Sequence, residues 1–154
     1  MDTFSKTQRS KIMAKVRSRG NRSTEQRLRI ALMRARLRSW KLNAKSLPGS
    51  PDIAFPQSKT AIFIDGCFWH GCLKCYRRPQ TSQSYWDAKV QRNKTRDKRN
   101  RKILKQMGWQ TIRIWEHQLK ADLKKCVEKI AASTCAGANK GRTLRIHRKT
   151  NLSP

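Results

Sequence analysis

The segment FIDGCFWHGCLKC, residues 63 to 75, restricts the possible folds of this chain more than any other. It places Cys67, Cys72 and Cys75 at the spacing C-x4-C-x2-C. Three thiolates at that spacing can converge on one tetrahedral zinc ion, which takes four ligands in a structural site. Reduced cysteines on an ordinary loop are the alternative, but exposed thiols in so tight a cluster would oxidise. We therefore expect a loop that is held by a structural zinc.

The fourth zinc ligand has several candidates: His70, His117, Cys126 and Cys135. His117 is the best of them because it follows a predicted strand, which would hold it near the cysteine loop. The N-terminal segment lacks the apolar run of a signal peptide, and no stretch approaches the length of a membrane span. The sequence therefore predicts a cytoplasmic protein, in which five cysteines indicate metal binding and not disulfides.

Basic residues dominate the composition. The chain has 37 Lys and Arg against 9 Asp and Glu, a formal net charge of +28 and a sequence pI of about 11.3. Residues 89 to 105 alone hold nine basic residues and one acid, and like charges at i,i+4 spacing repel unless a polyanion lies nearby. A membrane-surface protein would show an amphipathic helix with a broad apolar face or a lipidation signal, and neither is evident. Nucleic acid is therefore the expected partner.

Hydrophobic periodicity and turn residues predict an α/β fold around a small sheet. Ser23 and Gln26 match a capping box, and Gly108 ends a long helical stretch. The predicted helices span residues 24–39, 84–107 and 118–132, and the predicted strands span 52–55, 59–65 and 109–115. The first two strands form a hairpin through residues 56–58. One domain is thus expected over 23–134, after a basic arm at 1–22 and before a disordered basic tail at 135–154.

Two aspartates lie at the ends of the first two predicted strands. Asp52 opens one strand and Asp65 closes the next. Carboxylates at adjacent strand ends can share one hard divalent cation, with phosphate oxygens and water completing the shell. Alternatively, Asp52 serves the preceding turn and Asp65 caps the loop before Gly66, because aspartate favours both places. The spacing leaves both interpretations open.

Glu25 and the pair Phe68–Trp69 each have two interpretations. Glu25 shares the helix phase of Leu28 and should point toward the sheet, but an acid in the first helical turn also complements the helix dipole. Phe68 and Trp69 follow Cys67 on the loop, where they are either a lid on the core or a wedge that stacks on DNA bases. The loop position favours the wedge.

Four motifs taken together resemble the very-short-patch (Vsr) repair endonucleases. They are SLPGSPD, FIDGCFWHGC, Tyr85–Trp86 and GW…IRIWEHQL, and the similarity covers about Arg9 to Leu119. It implies a restriction-endonuclease-like core, with a small mixed β-sheet flanked by helices, a structural zinc loop and catalytic magnesium. It also implies a strand-specific nick in double-stranded DNA on the 5′ side of the mismatched T in a T·G pair. A bacterial, cytoplasmic, nucleoid-associated monomer is expected, with mismatch-repair proteins as candidate partners.

The resemblance also implies roles for individual residues. Asp52 is similar to the principal magnesium ligand, His70 to the histidine that activates water, and Glu25 to the helix acid that assists the metal site. Asp65 stands as a second catalytic carboxylate and magnesium ligand. The zinc ligands implied by position are Cys67, Cys72, Cys75 and His117. Residues implied in DNA binding are the wedge Phe68, Trp69 and Met13, and Lys89 and Asn93, which would face the mismatch.

The chain departs from the wider nuclease pattern at one position. That pattern has Pro-Asp, then an acid, one residue and a lysine, and here Cys67 stands at the lysine position. Another group must then handle the attacking water, and His70 is the obvious one. Asp65 is a less secure metal ligand than Asp52, because the family tolerates other residues there. The alternatives are a zinc-stabilised DNA-binding or mismatch-binding protein without catalysis, and a related nuclease with another DNA substrate.

Overall fold

The computed structural model describes residues 7–8 and 22–146, with side chains described at 7–8 and 24–135. Almost all of the predicted basic arm, including Met13, lies outside the described residues, and so do residues 147–154 of the predicted tail. None of the helices in the described part of the chain is long and apolar enough to cross a membrane.

Four strands form one mixed sheet in the order β1-β2-β3-β4, with bounds Lys41–Leu42, Ile53–Phe55, Thr60–Asp65 and Gln110–Trp115. The β2–β3 hairpin is antiparallel, as predicted, and turns where the Lys59 N–H donates to the Pro56 carbonyl at 3.2 Å. The pairing of β3 and β4 is parallel, so the chain between them must cross over through a helix. β1 is two residues long, too short for a periodicity signal, and the sequence did not predict it.

Within residues 22–146, four helices flank the sheet. A π-helical turn over Arg22–Gln26 leads into α1, and the helices α1 to α4 span Arg27–Arg34, Gln83–Gln106, Glu116–Ala121 and Leu123–Ile146. The predicted first helix was too long, because Arg36 adopts a left-handed backbone, φ 57°, that an α-helix cannot contain. The predicted last helix is broken at Asp122, whose Oδ1 accepts the Lys125 N–H at 2.9 Å and caps α4. The backbone of α4 continues past the predicted domain end at 134.

The main hydrophobic core lies on one face of the sheet. The strands contribute Ile53, Ile62, Ile112 and Ile114, and the helices contribute Leu28, Leu32, Leu119 and Ile130, all with at most 5% exposure. Period-two alternation of the strands explains this, because Ile53 pairs with Ile62 and Ile62 with Ile112 across the ladders. Helices α1 and α4 therefore cover this face.

The opposite face of the sheet carries the polar residues. Phe63 and Arg113 are register partners in β3 and β4, and Asp65 lies two residues beyond Phe63 on the same face. Helix α2 lies against this face, with Leu104 and Val90 buried. The fold is thus a mixed sheet flanked by helices, which confirms the expected restriction-endonuclease-like architecture. Polar groups meet in the layer between α2 and the sheet.

Candidate active site and metal centre

A cavity of about 620 Å³ opens between α2 and the polar face of the sheet. Sheet and loop residues line one side, and α2 lines the other with Arg96, Asp97, Asn100 and Arg101. The ionisable residues that the other elements supply are Asp52, Asp65, His70 and Arg113. Three of the four predicted catalytic residues therefore share one cavity.

Asp52 is tied to the neighbouring strand. It precedes β2, and its Oδ2 accepts the backbone N–H of Ile64 in β3 at 2.7 Å. The buried Pro51 before it gives the chain a rigid entry into the strand. The carboxylate is half-buried and lines the cavity, so its position is set by the hairpin and not by a surface turn alone.

Asp65, at the end of β3, is 4% exposed and pairs with Arg113 from β4. The Arg113 guanidinium donates from Nε to Asp65 and from Nη2 to Asp97 Oδ2, the latter at 2.7 Å. Burial lowers the pKa of Arg113 from its ordinary value, but a guanidinium remains charged in proteins. Arg113 is therefore a shared counter-ion for two carboxylates.

His70 lies beside the same group of charges. Its Nδ1 is 2.6 Å from Asp97 Oδ2 and 3.6 Å from Asp65 Oδ1. An ionised carboxylate can only accept a hydrogen bond, so we infer that Nδ1 carries the proton in the bond to Asp97. That tautomer leaves Nε2 as the acceptor nitrogen. The arrangement can orient the imidazole.

The loop that carries His70 is pressed against α2. Gly71 has φ 59°, and a Cβ there would stand 2.6 Å from Lys94 Cε and 2.8 Å from Val90 Cγ1. Asn93 on α2 donates from Nδ2 to the Trp69 carbonyl at 2.8 Å. Glycine at 71 is therefore required both by backbone conformation and by the close approach of the helix.

Four predicted zinc ligands meet on the other side of this loop. The ligand atoms of Cys67, Cys72, Cys75 and His117 all lie within 4.8 Å of one another. His117 Nδ1 is 3.2 Å from Cys67 Sγ and 3.6 Å from Cys72 Sγ. Three thiols and one imidazole form a donor set that can hold a metal, and it is one that suits tetrahedral zinc.

The thiols of this cluster differ in acidity. Burial, together with the neighbouring thiols, raises the pKa of Cys67 to about 11, although a hydrogen bond from the His117 backbone opposes the change. For Cys72, burial also acts to raise the pKa, but backbone hydrogen bonds from Lys74 and Cys75 outweigh it and lower the value. A metal that binds here must therefore displace a firmly held proton from Cys67.

The other two candidates for the fourth zinc position lie elsewhere. Cys126 is buried in the main core, where burial raises its pKa, and Cys135 is exposed on α4. His70 belongs to the cavity. The structure thus brings the ligand nitrogen of His117, and that of none of the other three candidates, to the three cysteines.

Phe68 and Trp69 belong to a cluster of aromatic rings. The Phe68 ring is 5.2 Å from those of Trp69 and Trp86 and 5.8 Å from that of Tyr76. Phe68 and Trp69 are both half-buried. The rings thus contact one another and still keep solvent-accessible surface.

The remaining predicted residues are more dispersed. Glu25 lies on the π-helical turn and is not among the described residues that line the cavity. Lys89 Nζ lies 6.0 Å from the centroid of the Tyr85 ring. Asn93 is held by Trp69, as described above.

Two cavity residues were missed by reasoning from the sequence. Asp97 is the one acid among the nine basic residues of 89–105, an anomaly that signals a buried or functional carboxylate. Arg113 stands between the buried Ile112 and Ile114, at a position of β4 where the alternation allows a polar residue, so nothing in the sequence singled it out. Of the two, only Asp97 could have been identified from the sequence.

Comparison with known proteins identifies the family to which this chain belongs. The family model described as DNA mismatch endonuclease Vsr matches residues 1–77. DNA mismatch endonuclease Vsr of Escherichia coli (strain K12) is 33% identical over 121 residues, 77% of this chain and 76% of that protein. Type II nicking enzyme V.XorIIP of Xanthomonas oryzae pv. oryzae is 36% identical over 119 residues, 77% of this chain and 86% of that enzyme.

A third relative shares a shorter segment. Type II nicking enzyme V.NaeI of Lentzea aerocolonigenes is 47% identical over 68 residues, which are 44% of this chain and 41% of that enzyme. The two longer alignments extend over more than three quarters of the chain. The chain therefore belongs to the Vsr family of DNA mismatch and nicking endonucleases.

Proposed function

We propose that this protein nicks one strand of duplex DNA on the 5′ side of the mismatched T in a T·G pair, in a magnesium-dependent reaction. The observation that carries the proposal is the convergence of Asp52, Asp65, His70 and Asp97 in one cavity beside a strongly basic helix. Clustered carboxylate oxygens are hard ligands for a divalent cation, and a protein that only binds DNA has no need of them.

Asp52 would be the principal magnesium ligand. Its carboxylate lines the cavity, and carboxylate oxygens are the ligands that Mg²⁺ prefers in proteins. Asp65 is the second proposed ligand, but it already has Arg113 as a counter-ion and offers less free negative charge. A bound magnesium ion would neutralise charge on the scissile phosphate and on the leaving oxyanion.

His70 would act as the general base. Its Nε2 accepts a proton from the attacking water, and Asp97 at Nδ1 stabilises the imidazolium that results. Arg113 holds Asp97 and Asp65 in place during this transfer. Glu25 would assist from the helix turn; in this structure it stands outside the cavity lining, so we assign it an indirect role.

The metal in the cysteine loop would be a structural zinc. Cys67, Cys72, Cys75 and His117 would hold this ion. It would thereby fix the loop that carries the aromatic pair and His70. Phe68 and Trp69, together with Met13, would then stack into the DNA at the weakly stacked mismatch. Lys89 and Asn93 would face the mismatched bases.

One assay tests the proposal against its alternatives. Duplexes that carry T·G, other mismatches or only matched pairs are incubated with the protein in Mg²⁺ or in EDTA, and each strand is labelled separately. We expect one labelled strand to be cut, only with Mg²⁺ and preferentially at T·G. Tight binding without any cut would support a binding protein. Cleavage of matched duplex alone would instead support a related nuclease with another DNA substrate.

A further inference from the structure

A second depression, which we call the basic groove, lies beside the active-site cavity. It has a volume of about 720 Å³ and lies between the last turns of α2 and the first residues of β4. Four cations of α2 line it: Lys98, Arg101, Lys102 and Lys105. The half-buried Trp109 lines it from the start of β4.

The four cations of the basic groove have no anionic partner within the described residues. None of them takes part in an ion pair there, whereas Arg78, Arg96 and Arg113 are each paired with aspartate. The groove lining contains no acidic residue. Cations at spacings of three, four and seven residues along one helix repel one another. The groove therefore fits a ligand that carries several negative charges.

The basic groove adjoins the active-site cavity. Arg101 and Thr111 line both. Along α2, the helical rise of about 1.5 Å per residue places Lys105 roughly 13 Å from Arg96, which lines the cavity. One DNA strand carries a phosphate about every 3.4 Å of helix axis, so this length matches roughly four nucleotides.

We propose that the DNA backbone leaving the active-site cavity continues through the basic groove, with phosphates held by Lys98, Lys102 and Lys105 and a deoxyribose against Trp109. This rests on the proposed function in one respect only, that the cavity takes DNA. It deepens that function by placing the DNA that flanks the nick on one side of the molecule, along α2 and away from α4.

The test compares two variants that each remove three positive charges. One is Lys98→Gln/Lys102→Gln/Lys105→Gln in the groove. The other is Lys124→Gln/Lys125→Gln/Lys129→Gln on α4, where all three side chains are exposed and the helix covers the opposite face of the sheet. Duplex binding is measured in EDTA, so that no cleavage occurs, between 50 and 200 mM KCl.

Each lost phosphate contact lowers the slope of log K against log salt by about 0.9. We expect the groove variant to lose a slope of about 2 to 3 and to bind about a hundredfold more weakly at 0.1 M salt. The α4 variant should keep the wild-type slope. Equal changes in the two variants would overturn the proposal, because they would show that only net charge matters.

A duplex-length series locates the contact. Truncating the duplex within about four nucleotides of the nick on one side should weaken binding by the wild type, and should barely affect the groove variant. Truncation on the other side should affect both alike. Wild-type and groove-variant proteins that respond identically to both truncations would refute the path. Suppose that no duplex is nicked in Mg²⁺ but the groove variant still shows a smaller slope of log K against log salt than the wild type. The proposed function would then be wrong, and the proposal that DNA binds in the basic groove would be supported.

Discussion

At the scale of single residues, the cavity is a balance of charge between Asp65, Asp97 and one arginine. Arg113 contacts both carboxylates, and His70 lies within 3.6 Å of each. Taking this arginine away would leave two carboxylates against an imidazole in a partly buried space, which costs more than loss of an exposed pair. Asp52 lines the same cavity, and its Oδ2 accepts a backbone N–H.

Asp52→Asn should abolish nicking and leave binding nearly unchanged. Asparagine keeps an oxygen for the Ile64 N–H but removes the negative charge that would hold the metal. We expect the single-turnover nicking rate to fall by about a hundredfold or more, since a catalytic metal supplies several kcal/mol. Asp87→Asn is the control, because Asp87 is an exposed acid of α2 that pairs with Arg78 outside the cavity lining. A wild-type nicking rate for Asp52→Asn would show that Asp52 is not the catalytic metal ligand.

Arg113→Met should destabilise the fold through the carboxylates that it leaves unpaired. Breaking a partly buried pair costs about 3 kcal/mol of unfolding free energy, measured by denaturation in urea. Adding Asp97→Asn should restore part of this loss, because it removes one of the stranded charges. Arg78→Met, which breaks an exposed pair, should change stability little. If the loss of unfolding free energy in the double variant equals the sum of the losses in the two single variants, Arg113 and Asp97 act independently.

At the scale of elements, the cysteine loop has two faces with separate tasks. One presents thiols to His117 on α3, and the other presents His70 to α2. Gly71 lets the loop approach α2 closely enough for both. A substitution among the four predicted zinc ligands should therefore also change the position of His70 in the cavity, because only a few loop residues separate the two sites.

Zinc binding to this loop should strengthen as the pH rises. The pKa of Cys67, about 11 without metal, means that its thiol is protonated throughout the neutral range. The bound form is a thiolate, so binding releases that proton and the apparent affinity rises about tenfold per pH unit for this proton alone. Chelator competition at pH 6.5, 7.0 and 7.5 measures it. Cys135→Ser, outside the cluster, should follow the same line as the wild type, and a pH-independent affinity would refute a thiolate site.

Trp69→Ala distinguishes a DNA wedge from a core lid. As a wedge, Trp69 contributes stacking of roughly 1–3 kcal/mol, so duplex affinity should fall about tenfold to a hundredfold and preference for T·G over T·A should shrink. The melting temperature should change only moderately, because the ring is half-buried. Trp40→Ala, next to the main core, is the matched control and should mainly lower the melting temperature. A large fall in melting temperature for Trp69→Ala with unchanged affinity would assign it to packing.

At the scale of the whole molecule, the sheet separates two functions. Its apolar face, under α1 and α4, holds the main core, and its polar face, under α2, holds the cavity and the basic groove. The catalytic and DNA-contacting groups proposed here can thus be changed without reaching the residues that contribute most apolar burial.

The sequence by itself determined the α/β class, the β2–β3 hairpin, the last strand and the long basic helix, because each depends on local periodicity and turn residues. It also indicated the family, now confirmed by the comparisons. Local pattern did not determine where helices end in strained backbone, as at Arg36, or where a polar residue caps a new helix, as at Asp122.

Only the tertiary structure decided which side chains meet. Asp97 and Arg113 join Asp65 and His70 because β3 pairs in parallel with β4 and α2 crosses between them. Such contacts join residues far apart in the chain, and their geometry depends on strand register, in which a shift of one residue would turn Arg113 to the core face. The sequence therefore determined the chemical groups, and the parallel β3–β4 register decided that they form one site.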